Sequence, residues 1–217
     1  MPSDKLSVLS ATNIQSAARR FGLAALPIEA AEQLSAFAIL LLRWNARLNL
    51  TALRTPEQIL SRHLLESIFC AQNLAGDPET LLDFGSGAGL PGIPIAICRP
   101  ATLVTLAEAS TRKASFLREA CRTLALGARV YGGRVEELPL ESTFDAVTMR
   151  AVDRMHAALA VASSRVAEGG LLVLLSTGAA AVPVADGFEL ASAIPVPESQ
   201  DRLLLQHRRI SSIPRGT

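Results

Sequence analysis

Apolar residues in the first third of the chain recur at the spacing of a helix. Between Glu29 and Leu50 they fall three or four positions apart and define one face of a long helix; these residues are Leu34, Phe37, Leu41, Trp44 and Leu48. The run Thr55-Pro56-Glu57-Gln58 predicts a capping box that opens a second helix. We therefore predict an N-terminal α-helical extension over residues 1–76, which ends near a Gly-Asp-Pro turn.

Strand-like and helix-like segments alternate from Thr80 onward. The predicted strands are 81–84, 102–106, 128–131, 144–149 and 171–175, and helices are expected from Leu90, from Thr111 and over 153–166. This alternation predicts an α/β fold with a parallel sheet covered by helices on both faces. Two further strand-like segments, 188–194 and 203–207, predict a terminal antiparallel hairpin. Residues 77–217 are thus expected to form one domain.

A glycine-rich turn follows the first predicted strand. An apolar run ending in Asp83-Phe84 leads into Gly85-Ser86-Gly87-Ala88-Gly89 and then into an apolar helix, with Pro91 expected in its first turn. Glycine permits positive φ and lets a ligand approach the backbone, and free N–H groups at a helix start bind carboxylate or phosphate. The segment predicts a site for a nucleotide-like cofactor.

The spacing of the glycines is compatible with two cofactors. Counted from Gly85 the turn reads G-x-G-x-G, the pattern of S-adenosylmethionine sites; counted from Gly87 it reads G-x-G-x-x-G, the dinucleotide pattern, but starts two residues late. Asp83 and Glu108, each after a predicted strand, suit either cofactor because both carry a ribose diol. A nicotinamide-dependent oxidoreductase stays open, with Tyr131 and His156 as its nearest candidate acids.

Composition limits the setting in which the protein acts. With 217 residues and 49% hydrophobic content, the chain can bury a full core. It has no apolar run of ~18 residues and no signal-like start, so we expect a cytoplasmic protein without a membrane contact. Its three cysteines are widely spaced, which argues against a metal site or a disulfide framework. The net charge is only +1, so any surface that binds nucleic acid must be a local patch.

Several motifs, in this order, resemble the RsmG family, also called GidB, of bacterial small-subunit ribosomal RNA guanine-N7 methyltransferases. They are Trp44-Asn45, Asn49-Leu50-Thr51, Arg62-His63-Leu64-Leu65-Glu66-Ser67, the glycine turn with Leu90-Pro91-Gly92-Ile93-Pro94, Arg134-Val135-Glu136-Glu137 and Phe144-Asp145 leading to Arg150-Ala151. The resemblance implies a Rossmann-like class I methyltransferase sheet. It also implies S-adenosylmethionine as cofactor, and as substrate the 530-loop region of 16S ribosomal RNA, free or in the small ribosomal subunit. We expect a monomer.

The resemblance also implies roles for individual residues. Cofactor contacts are implied at Gly85, Leu90, Val135, Glu136 and Arg150. To these the pattern of residues adds Asp83, Gly87 and Glu108, with Glu108 as the acceptor for the ribose hydroxyls. The guanidinium at position 150 is expected to hold the cofactor carboxylate or a substrate phosphate.

Candidate substrate contacts are Arg134, Arg62, His63 and Lys113. For the histidine, a packed or capping position near the interface of the two parts of the chain is favoured over an RNA contact. No catalytic residue is assigned, because guanine N7 carries a lone pair and no proton. Thr177 stands where the family usually has Lys. A noncatalytic RNA-binding or assembly module remains the third hypothesis.

Overall fold

Helices make up the first third of the chain in the computed structural model, which describes residues 6–150, 156–177 and 186–210. They are α1 (Ala11–Arg20), α2 (Ile28–Leu48) and α3 (Pro56–Ile59), the last of which continues through a π-helical segment (Leu60–Leu65) into α4 (Glu66–Asn73). The predicted capping box is confirmed. The Thr55 hydroxyl accepts from the Gln58 N–H at 3.3 Å, and the Gln58 side chain accepts from the Thr55 N–H.

A seven-stranded sheet follows, with the order β3-β2-β1-β4-β5-β7-β6. The strands are β1 (Thr80–Phe84), β2 (Leu103–Ala107), β3 (Arg129–Tyr131), β4 (Phe144–Arg150), β5 (Val166–Thr177), β6 (Phe188–Pro195) and β7 (Arg202–Arg209). The first five are parallel, and β7 lies antiparallel between β5 and β6. Both the parallel sheet and the terminal antiparallel hairpin are therefore confirmed.

The crossover helices are α5 (Gly92–Cys98), α6 (Thr111–Thr123) and α7 (His156–Ser164). Two predicted helix boundaries are wrong, and β5 begins at Val166 rather than at the predicted Leu171. Helix α5 begins at Gly92 rather than Leu90, and Pro91 is its N-cap instead of lying in the first turn. The helix predicted over 153–166 ends at Ser164, because Val166 already pairs with Phe144 as the first residue of β5; residues 153–155 lie outside the described part.

Buried apolar residues join the N-terminal helices to one face of the sheet. A single cluster includes Phe37 of α2, Ile68 of α4 and Phe116 of α6, all 0% exposed. Polar contacts reinforce this packing, since the Gln206 side chain of β7 accepts from the Ala75 N–H at 2.9 Å and donates to the Asn73 carbonyl at 2.8 Å. The boundary near residue 76 stays a prediction. Within the described ranges, no helix is both long and apolar enough to cross a bilayer.

The four parallel strands β1 to β4 end at the same edge of the sheet. The glycine turn follows β1, Glu108 follows β2, the segment 132–137 follows β3, and Arg150 is the last residue of β4. In open α/β sheets this edge is where ligands bind. The predicted cofactor residues are therefore brought to one side of the molecule.

Candidate cofactor site

Three glycines of the turn have positive φ, and they face different surroundings. The φ angles are +68° at Gly85, +54° at Gly87 and +80° at Gly89. A Cβ added at Gly89 would lie 2.5 Å from Ile93 Cδ1, so a side chain here would force Ile93 to move. A Cβ added at Gly85 would meet nothing within 4 Å. The turn thus leaves open space beside Gly85, where a ligand can approach the backbone without displacing protein atoms.

Glu108 ties the glycine turn to the start of α6. Its carboxylate accepts from the Gly87 N–H at 2.9 Å through Oε2 and from the Ser110 N–H at 2.7 Å through Oε1, and the residue is 9% exposed. A carboxylate has about four acceptor positions, so two remain for further donors. The contacts are compatible with the predicted ribose acceptor, whose role stays a prediction.

Asp83 lies beneath the turn and is 1% exposed. Its Oδ2 accepts from the Gly92 N–H at 3.2 Å, and its Oδ1 accepts from the Thr148 hydroxyl at 2.9 Å. Burial raises the pKa of this carboxyl to about 6, against the effect of its hydrogen bonds. The expectation of a free N–H at the helix start is wrong at Gly92, because Asp83 already occupies it. These contacts support a role in holding turn and strand together more than one as a direct cofactor ligand.

Leu90 and Val135 are both predicted cofactor contacts, and both are largely buried. They are 6% and 4% exposed, so each offers only a small part of its surface to a ligand. Val135 begins a 3-10 turn, Val135–Glu137, after β3, and Glu136 in this turn is exposed. Arg134 pairs with the Glu136 carboxylate at 3.7 Å, with both side chains open to solvent.

Arg165 holds the segment after β3 and was not identified from the sequence. This side chain is 3% exposed and donates to the carbonyls of Val135 at 3.1 Å, Leu138 at 3.0 Å and Pro139 at 2.6 Å. A guanidinium is suited to this because its donors are fixed in one plane. The residue lies about thirty positions from the segment it holds, so no local pattern indicates the contact.

Glu66 is a buried carboxylate in contact with three arginines. Arg150 Nη2 lies 2.9 Å from its Oε2, Arg62 Nε lies 3.4 Å from its Oε1, and Arg202 of β7 also donates to Oε1. Burial raises the pKa of Glu66, while Arg150 and Arg62 act in the opposite direction. The carboxylate therefore joins the N-terminal helices to β4 and β7.

Of the two terminal nitrogens of the Arg150 guanidinium, Nη2 is hydrogen-bonded within the described part of the chain and Nη1 is not. Its Nη2 also donates to the Arg62 carbonyl at 2.6 Å. Its Nη1 is buried and has no hydrogen-bond partner among residues 6–150, 156–177 and 186–210. Burial lowers the pKa of Arg150, and Glu66 partly offsets this. A buried N–H donor without a partner is costly, so the arrangement supports the predicted contact with an anionic ligand.

His63 is buried and packed. Its Nε2 lies 2.7 Å from Thr51 Oγ1, and Asn45 Oδ1 accepts from the Thr51 N–H at 2.9 Å. Burial and then the charge of Arg150 lower the pKa of this histidine to about 3. The contacts favour the packed interpretation over the RNA contact, and they join one residue from each of three motifs: Asn45, Thr51 and His63.

The other candidate substrate residues are nearer the surface. The Arg62 side chain is 54% exposed, Arg134 is 69% exposed and Lys113 lies in the first turn of α6, half-buried. The site residues thus fall into three groups: the glycine turn with Glu108, the arginine cluster around Glu66, and the turn after β3. Ala151 and Gly178 and the side chains of Thr177 and His156 lie outside the described part.

A glycine turn after β1, a carboxylate after β2 and an antiparallel hairpin at the end of a parallel sheet define a class I methyltransferase fold. Solved methyltransferase structures share it. TYW2 of M. jannaschii in complex with AdoMet matches with a TM-score of 0.53 and 16% identity, over 69% of this chain and 78% of that one. The N-methyltransferase NodS of Bradyrhizobium japonicum matches with a TM-score of 0.52 and 16% identity, over 67% and 93%. At this identity the likeness shows the fold.

Sequence comparison defines the family. Residues 30–182 match the GidB family, described as rRNA small subunit methyltransferase G. Ribosomal RNA small subunit methyltransferase G of Xanthomonas euvesicatoria is 44% identical over 74% of this chain and 76% of its own length. The protein of the same name from Methylobacillus flagellatus is 42% identical over 73% and 76%. The chain belongs to the GidB family, which confirms the resemblance found in the sequence.

Proposed function

We propose that this chain transfers a methyl group from S-adenosylmethionine to guanine N7 in the 530-loop region of 16S ribosomal RNA. Membership of the GidB family supports an enzyme that methylates small-subunit ribosomal RNA. The observation that carries the cofactor assignment is the open face of Gly85. It has a φ of +68° and open space where a Cβ would stand, and it follows β1 at the sheet edge where Glu108 also lies. We call this open face of Gly85 the cradle.

The residues around this cradle fit the cofactor. Glu108 retains acceptor positions for a ribose diol, and Arg150 presents a buried N–H without a partner in the described ranges to an anionic group. Asp83 and Arg165 keep the turn and the 135–139 segment in place from below. When bound, S-adenosylmethionine supplies an electrophilic methyl group on a sulfonium.

The reaction places few chemical demands on the protein. Guanine N7 attacks with a lone pair and releases no proton, so no general base is needed. The protein instead orients the two reactants and excludes water, effects that contribute roughly 7–11 kcal/mol in favourable systems. A binding site with positioning groups and no catalytic base is consistent with this requirement.

A methyl-transfer assay tests the proposal. The substrate is small-subunit RNA from a strain without this enzyme, incubated with the protein and labelled S-adenosylmethionine. Methylation at N7 makes the ring cationic and sensitive to reduction and strand scission, so we expect one new cleavage in the 530 loop. Label at an exocyclic amine or a ribose would contradict the N7 assignment. Cofactor binding without any transfer would favour the noncatalytic module.

The variant Gly85→Val tests the cradle, with Gly76→Val as a matched control. Both glycines have a φ of +68° and open space around an added Cβ, but Gly76 lies in the loop between α4 and β1. Each variant therefore carries the same left-handed backbone strain, about 1–2 kcal/mol. We expect equal losses of stability and a loss of S-adenosylmethionine binding only in Gly85→Val. Equal cofactor affinity in the two variants would contradict the site.

The proposal extends to the state of the protein in the cell. We propose a monomer that acts in the cytoplasm, where its ribosomal RNA substrate is found. Sedimentation velocity at micromolar concentration measures the first point, and cell fractionation measures the second. A stable dimer or a membrane-bound fraction would contradict them.

A further inference from the structure

The last turns of α2 carry an exposed basic surface. Arg43 and Arg47 lie four residues apart and are exposed, and Trp44 between them is half-buried. The chain has no acidic residue from Gln33 to Leu48. Neither arginine forms a hydrogen bond or ion pair with any residue of the described ranges. Their guanidiniums are therefore available to an external anion.

This surface has a concave, partly apolar floor. It is a depression of about 550 Å³ on one side of α2, where Leu40, Trp44, Ala46 and Leu48 line the space together with the two arginines. A helix dipole alone favours a cation in the last turn. It does not account for an indole and aliphatic side chains in a depression between unpaired arginines.

The basic surface packs against α6, the helix that follows Glu108. The Trp44 ring is 5.7 Å from the ring of Phe116 in α6. Lys113 and Arg112 lie one turn before Phe116, toward the start of α6, where the Ser110 N–H bonds to Glu108. Two further cations therefore lie on α6 between the Trp44 contact and the start of that helix.

We infer that the C-terminal end of α2, with Arg43, Trp44 and Arg47, is a surface that binds the single-stranded part of the RNA substrate. The inference rests on the proposed function and adds the place where the RNA is held outside the cofactor site. Arginine pairs with phosphate through two donors and stacks on bases. Aromatic side chains flanked by basic residues bind unpaired nucleotides in the same way.

Trp44 is the only tryptophan of the chain, so wild-type protein reports on this surface directly. An unmodified 16S ribosomal RNA fragment that spans the 530 loop is titrated into the protein while tryptophan emission is recorded. We expect a saturable change in emission that added salt reverses and that S-adenosylmethionine alone does not produce. RNA binding by filter assay with no change in emission would overturn the inference.

Charge variants with a matched control provide the second test. Arg43→Gln/Arg47→Gln removes two charges near the end of α2, and Arg19→Gln/Arg20→Gln removes two exposed charges from the end of α1. The control pair lies on a different helix, which ends before α2 begins. We expect only the tested pair to weaken RNA binding and to lower the slope of log K against log salt by about 1.4, that is about 0.7 per phosphate contact.

The outcomes separate this inference from the proposed function. S-adenosylmethionine affinity is expected to stay unchanged in both double variants, because neither pair contacts the glycine turn. If the wild type methylates the RNA while both double variants bind it equally well, the surface is wrong and the function stands. If wild-type protein binds the RNA but transfers no methyl group, the proposed function is wrong and the surface stands on its own binding data.

Discussion

The ion cluster around Glu66 makes a quantitative test possible. Glu66→Gln keeps the size of the side chain and removes its charge, which leaves three guanidiniums around a neutral amide. The Glu66 side chain is 6% exposed, and those of Arg150 and Arg202 are 22% and 17% exposed. Removing one partner of such a buried pair costs about 3–5 kcal/mol. Since Arg62 is 54% exposed and contributes little, we expect a loss of about 3 kcal/mol.

Urea unfolding of the wild type and the variant measures this loss, and Glu119→Gln is the matched control. Glu119 pairs with Arg122 at the same 2.9 Å, but these side chains are 35% and 74% exposed. An exposed pair contributes about 0–1 kcal/mol. Thermal unfolding gives a second measure, with about 2–4 °C expected for each kcal/mol in a chain of this size.

A change in cofactor binding is the functional part of the same prediction. Without the Glu66 carboxylate, Arg150 loses one of the two bonds that orient it and keeps only the bond to the Arg62 carbonyl. We therefore expect weaker S-adenosylmethionine binding in Glu66→Gln and not in Glu119→Gln. Arg202→Gln separates the orientation of Arg150 from the stability of the fold. It removes one partner of Glu66 but leaves the bond between Glu66 and Arg150 of β4 in place. If Glu66→Gln and Glu119→Gln lose the same stability within about 0.5 kcal/mol, the reasoning from burial is refuted.

Three other variants test single contacts. The pKa of His63 is about 3 when folded and 6.5 when unfolded, so its stabilising effect is complete above pH 6.5 and falls by about 1.4 kcal/mol per unit below it; His63→Gln should gain stability relative to wild type as pH falls from 6.5, in urea unfolding. The raised pKa of Asp83 has the opposite effect on how stability depends on pH. This effect is the same in wild type and variant, so it cancels in the difference between them. Glu108→Ala should weaken S-adenosylmethionine binding by about 1.5–3 kcal/mol in calorimetry, with RNA affinity unchanged; equal losses would contradict its placement. Arg165→Lys should destabilise the fold by about 1.5–3 kcal/mol, because one ammonium cannot reach three carbonyls, and a thermal scan matching wild type would contradict that role.

Local patterns in the sequence predicted the architecture well. The strands, the capping box at Thr55 and the glycine turn are each specified by residues within a few positions of one another. The errors at Leu90 and Val166 are boundary errors. The helix predicted from Leu90 begins at Gly92, whose N–H donates to the Asp83 carboxylate. A glycine pattern does not reveal where the side chain of a strand residue such as Asp83 points.

The contacts that complete the site depend on distant residues. Nothing near Glu66 in the sequence indicates Arg202, which is 136 positions away, and nothing near Val135 indicates Arg165. The role of His63 depends on its burial. A histidine can pack against Thr51 or contact RNA, and the residue type alone does not distinguish the two. Such facts follow from the packing of whole elements, which pattern analysis of one sequence does not provide.

The bonds from β7 back to the N-terminal helices have a consequence for synthesis on the ribosome. Arg202 and Gln206 are translated long after Glu66 and Asn73, so the earlier residues wait for partners through about 130 further codons, roughly 7–27 s at ordinary elongation rates. During that interval Glu66 has Arg62 and later Arg150 as partners but lacks Arg202, and the Asn73 carbonyl lacks the Gln206 donor, so the helices that carry them are held less firmly. A nascent chain stalled before residue 202 should therefore be cut readily by protease in its first 76 residues, and release of the full chain should protect them.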